Sequence, residues 1–153
     1  MSRAFVKEQD DAPEELLERP ISPNPNFVTE RGLQLIDEAI DALRHDQARA
    51  HSAGDKAAVA RAARDLRYWL LRRASAQLVA PPQERMKVAF ATRVTLRRSD
   101  GRLQHFTIVG EDQADPAQGY IAYNAPLARA VLGKLAGDVA EAPGGEVEIV
   151  AVE

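Results

Sequence analysis

LQHFTIV, residues 103–109, alternates in hydrophobicity and is rich in residues that favour β-strands. Ser99-Asp100-Gly101, just before it, is a turn signal of the Asp-Gly type. On the other side of that turn, Val94 and Leu96 fit a second strand. These segments predict a β-hairpin, and the chain around them is therefore expected to form a sheet.

The residues after this hairpin predict more strands and one helix. In chain order they form a loop at 110–119, a short strand at 120–123, a helix at 126–135, a turn at 143–145 and a closing strand at 146–152. The helix is indicated by Pro126, which suits a first helical position, and by Gly137 beyond its end. Residues 83–153 are therefore expected to form a small antiparallel β domain with one helix across it.

Residues 27–82 have helical periodicity in two runs. After a predicted N-cap at Thr29, one side of the first helix carries the apolar residues Leu33, Ile36, Ala39, Ile40 and Leu43. After a break at Ser52-Ala53-Gly54, one side of the second carries Val59, Ala62, Ala63, Leu66, Trp69 and Leu70. Two amphipathic helices joined by a short turn predict an antiparallel coiled-coil hairpin. The expected fold class is thus α+β.

Residues 1–26 are polar, acidic and contain four prolines. Such a composition does not bury enough apolar surface to order a chain. We expect this segment to be a flexible acidic arm.

The composition excludes several classes of site and of binding partner. The chain of 153 residues has no cysteine, a net charge of −3 and no apolar run near the roughly 20 residues that a membrane span needs. We therefore expect a cytoplasmic protein without a disulfide or a thiolate metal site. The basic residues are concentrated in one segment, at Lys56, Arg61, Arg64, Arg67, Arg72 and Arg73. An acidic protein with one basic segment is not expected to bind duplex DNA generally.

The C-terminal half resembles a known family. The series VAFATRVTL (88–96), FTIVGEDQADP (106–116), YIAYNAPLARAVLGKLAGD (120–138) and PGGEVEIVAVE (143–153) is similar, in order, to the C-terminal domain of GreA and GreB. The resemblance implies a fold like that of FK506-binding proteins. It also implies a transcription factor that binds bacterial RNA polymerase at the rim of its secondary channel.

In that family, the segment at the start of the helix docks on the polymerase. By resemblance, the docking candidates here are Asn124, Ala125, Pro126, Leu127 and Arg129. Two positions depart from the family pattern, since alanine replaces the usual serine at 125 and the usual glycine at 128. From the residues alone, Pro126 and Leu127 would be a helix start and a core leucine.

The helical half resembles the same family at both ends of the hairpin. Thr29-Glu-Arg-Gly-Leu33 is similar to the family's entry into the first helix, and Ser75-Ala-Gln-Leu-Val79 to its exit from the second. In Gre factors two carboxylates at the hairpin tip help to hold the polymerase's catalytic Mg²⁺ for cleavage of backtracked RNA. Here Asp55 matches the first acid, but Ala58 stands where the second would be.

The helices also appear short beside those of the family, by roughly eight to ten residues each. At about 1.5 Å per residue, the tip would stop roughly 12–15 Å short of a full-length one. We expect a short-armed member, similar in plan to Rnk, that modulates elongation with little transcript cleavage. The alternative is a true cleavage factor that uses Asp55. We expect a monomer with no cofactor of its own, the polymerase's Mg²⁺ being involved only if the tip acts in cleavage.

The sequence offers three other candidate features. Arg61, Arg64 and Arg72 are predicted to lie opposite the apolar seam, either as a solvated face or as a stripe that contacts nascent RNA or an acidic channel. His45 and His51 are spaced to lie on different sides of a helix, so no metal site is expected. Prolyl isomerase activity is a third, weaker hypothesis, because fold alone does not confer chemistry.

Overall fold

The computed structural model describes residues 16–153, so the first 15 residues of the predicted arm lie outside it. The helices are α1 (Glu30–Ser52), α2 (Lys56–Ser75) and α3 (Pro126–Val131). The strands are β1 (Phe27–Val28), β2 (Gln77–Leu78), β3 (Arg93–Arg98), β4 (Leu103–Val109), β5 (Tyr120–Ala122), β6 (Val139–Ala142) and β7 (Gly145–Val152). The chain therefore has a helical hairpin followed by a sheet domain, which confirms the predicted fold class.

The hairpin begins where the sequence predicts. Thr29 caps α1, its side chain accepting a hydrogen bond from the Gly32 amide at 2.9 Å. Ile36 and Ile40 are buried between the helices, with Leu33, Leu66 and Trp69 packed around them. Leu70 was predicted to lie in this seam but is 40% exposed, and Leu66 and Trp69 fill the seam on α2.

The sheet domain has five strands in the order β5-β4-β3-β7-β6. Its core is formed by apolar residues of the sheet and of α3, among them Val94, Leu96, Phe106, Ile108, Val131 and Ile149. A purely antiparallel sheet was predicted, but β5 runs parallel to β4, with Thr107 opposite Tyr120. The loop between them contains two 3₁₀ turns, at Glu111–Gln113 and Pro116–Gln118, and it returns the chain far enough for a parallel pairing.

α3 is four residues shorter than predicted. Leu132 leaves the helical conformation, and Gly133 follows with φ of +81°. The Gly133 amide then donates to the Val88 carbonyl, and the Val88 amide donates to the Lys134 carbonyl, both at 2.8 Å. These bonds hold residues 132–134 against the chain before β3, where a continued helix would lose them.

Residues 16–26 also differ from the flexible arm predicted for them. Asn26 is buried, and neighbouring residues contact both α2 and the sheet domain. β1 follows at once and pairs in parallel with β2, so that the two ends of the hairpin are joined at its base. Within residues 16–153, no helix is long and apolar enough to cross a membrane.

Candidate functional site

The predicted docking residues lie in the segment that leads into α3 and at the start of that helix, here called the predicted docking surface, and Asn124 in that segment is half-buried. Ala125 occupies the N-cap position without a side-chain hydrogen bond, and Pro126 is exposed at the first helical position. Arg129 is exposed one turn later. Leu127 is half-buried and packs against the core of the sheet domain. It therefore has a structural role, and Pro126 and Arg129 present the accessible part of this surface.

A set of aromatic rings lies beside the docking surface. Phe27, from the base of the hairpin, packs edge-on against Tyr123 at 5.4 Å and against Phe90 at 6.1 Å between ring centroids. The Tyr123 hydroxyl donates to the Pro25 carbonyl at 2.8 Å. Phe90 and Tyr123, two of the four aromatic residues of the sheet domain, are therefore packed against the chain's own Phe27.

A polar cluster joins α2 to the loop after β4. Arg72 is 2% exposed, and its Nε donates to the Asp112 carboxylate at 2.5 Å. Its Nη2 donates to the Asn26 side chain at 2.7 Å, and the Asn26 amide donates back to the Arg72 carbonyl at 2.8 Å. Tyr68 donates to the second Asp112 oxygen at 2.5 Å. A buried charge needs such partners, and this cluster supplies them.

The cluster also affects the ionisation of Tyr68. Burial raises the pKa of Tyr68 to about 12, and its hydrogen bond to the charged Asp112 acts in the same direction. The phenol is therefore neutral and acts as a donor over the physiological pH range. Arg72 and Asp112 neutralise each other's charge. We therefore infer that the cluster serves to position α2 at the domain junction.

Two close contacts complete the junction. Thr29 donates from its hydroxyl to the Gln113 side chain at 2.5 Å, so that the residue that caps α1 also contacts the loop after β4. Gly110 lies against the backbone of Phe27, where a Cβ atom would come within 2.2 Å of the Phe27 carbonyl oxygen. Only glycine fits this approach.

The hairpin tip has a simpler structure. Gly54 adopts φ of +67°, and Asp55 is the N-cap of α2, its carboxylate accepting from the Ala58 amide at 3.0 Å. Asp55 is exposed at the tip, as predicted, but one of its oxygens is used to cap the helix. Ala58 has no group that could act as a second acid.

The predicted basic stripe is only partly present. Arg61 is exposed, and Arg64 is half-buried with its Nε 3.1 Å from Asp65. Arg72 was predicted to project from the same solvent-facing side, and this was wrong. It is buried because the loop after β4 covers that part of α2, which a projection of an isolated hairpin does not include.

No group of three or more potential metal-ligating side chains occurs within residues 16–153. His45 lies on α1, where its Nδ1 is 2.8 Å from the Asp41 carbonyl oxygen. Asp112 was not among the predicted site residues. No local pattern indicates its role, because Asp112 and Arg72 lie 40 residues apart and meet only where the two domains come together.

Sequence comparisons find known proteins that are similar to this chain. The family model described as transcription elongation factor, GreA/GreB, C-terminal, matches residues 83–153. GreA of Alkalilimnicola ehrlichii is 47% identical over 70 residues, which cover 44% of this chain and 44% of that protein. GreA of Halorhodospira halophila is 34% identical over 150 residues, which cover 82% of this chain and 95% of that protein.

Among solved structures, GreA factor homolog 1 (Gfh1) of Thermus thermophilus is 16% identical, with a TM-score of 0.41 and coverage of 85% of this chain and 99% of that one. The match to the Alkalilimnicola protein spans less than half of that protein, whereas the match to the Halorhodospira protein spans nearly all of it and includes the hairpin. The chain therefore belongs to the GreA/GreB family of transcription elongation factors.

Proposed function

We propose that this protein binds bacterial RNA polymerase at the rim of the secondary channel and modulates elongation without strong stimulation of transcript cleavage. The surface at the start of α3 docks on the polymerase through Asn124, Ala125, Pro126 and Arg129, while Leu127 anchors this segment to the core of the sheet domain. The hairpin enters the channel, where Arg61 and Arg64 contact nascent RNA. Membership of the family supports the docking part of the proposal.

One observation carries the part about cleavage. The single acid at the tip, Asp55, caps α2, and the residue three positions later is Ala58. Holding a catalytic Mg²⁺ against substrate requires oxygen ligands at fixed positions, and that ion usually keeps several waters while carboxylates occupy the remaining positions. A tip with one carboxylate, already engaged with its own backbone, is poorly suited to that task.

The length of the hairpin supports the same conclusion. α1 has 23 residues and α2 has 20, so the arm extends about 30–35 Å from the junction. An arm of this size occupies the channel entrance and can exclude other factors that use it. We expect the effect on elongation to arise from that occupancy.

Docking is tested by retention on immobilised core RNA polymerase. Arg129→Glu reverses a charge on the exposed part of the docking surface. It should weaken retention about tenfold or more, because a charge that faces a group of the same sign across an interface is strongly unfavourable. Arg102→Glu is the matched control, since Arg102 is exposed at the opposite end of β4. Equal retention of both variants and the wild type would reject this surface.

The cleavage alternative is tested on a stalled, backtracked elongation complex. We expect the wild-type protein to release no more short 3′ RNA than polymerase alone. If it does release RNA, Asp55→Ser separates the two roles of Asp55, because serine also caps helices but cannot hold a metal ion as a carboxylate does. Loss of release in Asp55→Ser would establish the alternative, a true cleavage factor.

A further inference from the structure

The segment at residues 16–21, here called the strap, lies along α2 through charged and aromatic contacts. Both oxygens of the Glu18 carboxylate accept a hydrogen bond from the Arg67 Nε, at 3.0 and 3.1 Å. The Arg19 guanidinium lies 3.9 Å from the centre of the Tyr68 ring and 3.6 Å from the Asp65 carboxylate. The strap therefore occupies a defined part of the hairpin surface.

This contact is peripheral to the fold. Leu17 is 86% exposed, and no residue of the strap is buried. Exposed ion pairs and cation–π contacts are individually weak and, for ion pairs, reduced by salt. Burial starts only at Asn26, where the chain enters the domain junction. The strap can therefore leave α2 without opening the core or the junction.

The surface beneath the strap combines arginines with aromatic rings. Arg64 and Arg67 lie on α2 beside Tyr68 and Trp69, whose rings contact each other at 5.1 Å. Proteins bind single-stranded nucleic acid with such sets, because arginine pairs with phosphate and a ring stacks on a base. The strap makes both kinds of contact, with a carboxylate on Arg67 and a planar guanidinium over Tyr68.

We propose that the strap is a tethered competitor that covers a single-stranded RNA site on α2, formed by Arg64, Arg67 and Tyr68. RNA binds when its phosphate replaces Glu18 on Arg67 and a base replaces the Arg19 guanidinium on Tyr68. The strap thereby reduces the affinity of the free protein for RNA. This inference deepens the RNA contact in the proposed function and rests on it, but it requires no polymerase.

The test measures binding of a fluorescently labelled short oligouridylate to the full chain at low salt. Glu18→Gln frees Arg67 and should tighten binding about two- to fivefold, as expected for loss of one exposed ion pair. Glu146→Gln is the matched control, because it makes the same change in net charge at an exposed position on β7. Trp69 is the sole tryptophan and the Arg19 guanidinium lies 5.7 Å from its ring, so its fluorescence should change when the strap leaves α2.

Three results would overturn the inference. The first is equal RNA affinity of Glu18→Gln and Glu146→Gln. The second is a gain in Glu18→Gln that persists when Arg67→Gln is added, since that gain would not involve the covered site. The third is displacement of the strap by oligoglutamate as readily as by oligouridylate, which would assign the surface to acidic proteins. None of these results bears on retention by polymerase, so the docking proposal stands or falls separately.

Discussion

The junction and the tip of the hairpin are built in opposite ways. At the junction, hydrogen bonds link the side chains of Arg72, Asp112, Tyr68 and Asn26. Arg72 and Asn26 are buried there. At the tip, exposed alanines surround Gly54, and a single carboxylate caps its own helix. The difference indicates that the orientation of the hairpin relative to the sheet domain is closely specified, while the chemistry at its end is not.

Such a contrast is expected of a protein that acts through the position of its helical hairpin rather than through side chains at the hairpin tip. A rigid base fixes the direction of α1 and α2 with respect to the start of α3. The small residues at the tip would then need only to fit into the space that the hairpin enters. A factor that delivers a metal ion would require the opposite distribution, with specified side chains at the tip.

The largest expected effect is at the junction. Asp112→Ala leaves the Arg72 charge buried without its partner, which should lower the free energy of unfolding by about 3–5 kcal/mol. Urea denaturation measures this change. Asp115→Ala is the control, because Asp115 is exposed in the same loop and should cost less than about 0.5 kcal/mol. Similar losses for both variants would contradict a specified junction.

A second prediction concerns the approach of the two backbones at Gly110. Gly110→Ala places a methyl group 2.2 Å from the Phe27 carbonyl oxygen, and the backbone must move, at an expected cost of about 1–3 kcal/mol. Gly32→Ala is a contrasting substitution on α1. Its new methyl group comes within 2.9 Å of the end of the Gln113 side chain and 3.3 Å of the Thr29 hydroxyl. These are side-chain atoms rather than backbone, and alanine favours the helix, so a smaller loss is expected. A larger loss in Gly32→Ala would be inconsistent with this account.

The sequence predicted the parts of the molecule that depend on local pattern. The cap at Thr29, the seam at Ile36 and Ile40, and the β3–β4 hairpin all follow from spacing and turn chemistry over a few residues. The resemblance of residues 88–153 to the family added the expected position of the docking surface, which stays a prediction. These predictions needed no knowledge of how the two domains meet.

The errors share one physical cause, which is contact between segments far apart in the chain. Arg72 was predicted to be exposed because the helical projection contains no information about Asp112, 40 residues later. The strap residues were predicted to be flexible from composition, yet Glu18 and Arg19 find partners on α2. α3 ends early because residues 132–134 bond to Val88. In each case, a contact between distant segments changes the structure that the local sequence pattern alone would favour.

A third prediction uses the pH dependence of the junction. The pKa of Tyr68 is raised from 10.0 to about 12 in the folded protein. Between these values the unfolded chain releases the proton while the folded protein keeps it, so stability should fall as pH rises from 10 to 12 and be unaffected below that window. Tyr68→Phe should make this fall less steep, and should cost about 1 kcal/mol near neutral pH through the lost hydrogen bond.

Thermal unfolding at a series of alkaline pH values measures this slope. Burial also raises the pKa of Tyr123, with the charge of Glu111 acting in the same direction, so Tyr123→Phe is the natural comparison. If the two variants flatten the curve equally, the cluster around Asp112 has no special influence on Tyr68. If neither does, the alkaline loss of stability arises outside the junction.

The smallest effect is expected at the tip, where Ala58→Glu adds the missing second acid. Ala58 is the third residue of α2, so a glutamate there lies in the first turn of the helix. It places a negative charge at the positive end of the helix dipole, and stability should rise by about 0.3–1 kcal/mol. Because the arm remains short, we expect no short 3′ RNA from a backtracked complex. Release of that RNA by Ala58→Glu would show that the tip reaches the catalytic centre, and that the missing carboxylate alone had prevented cleavage.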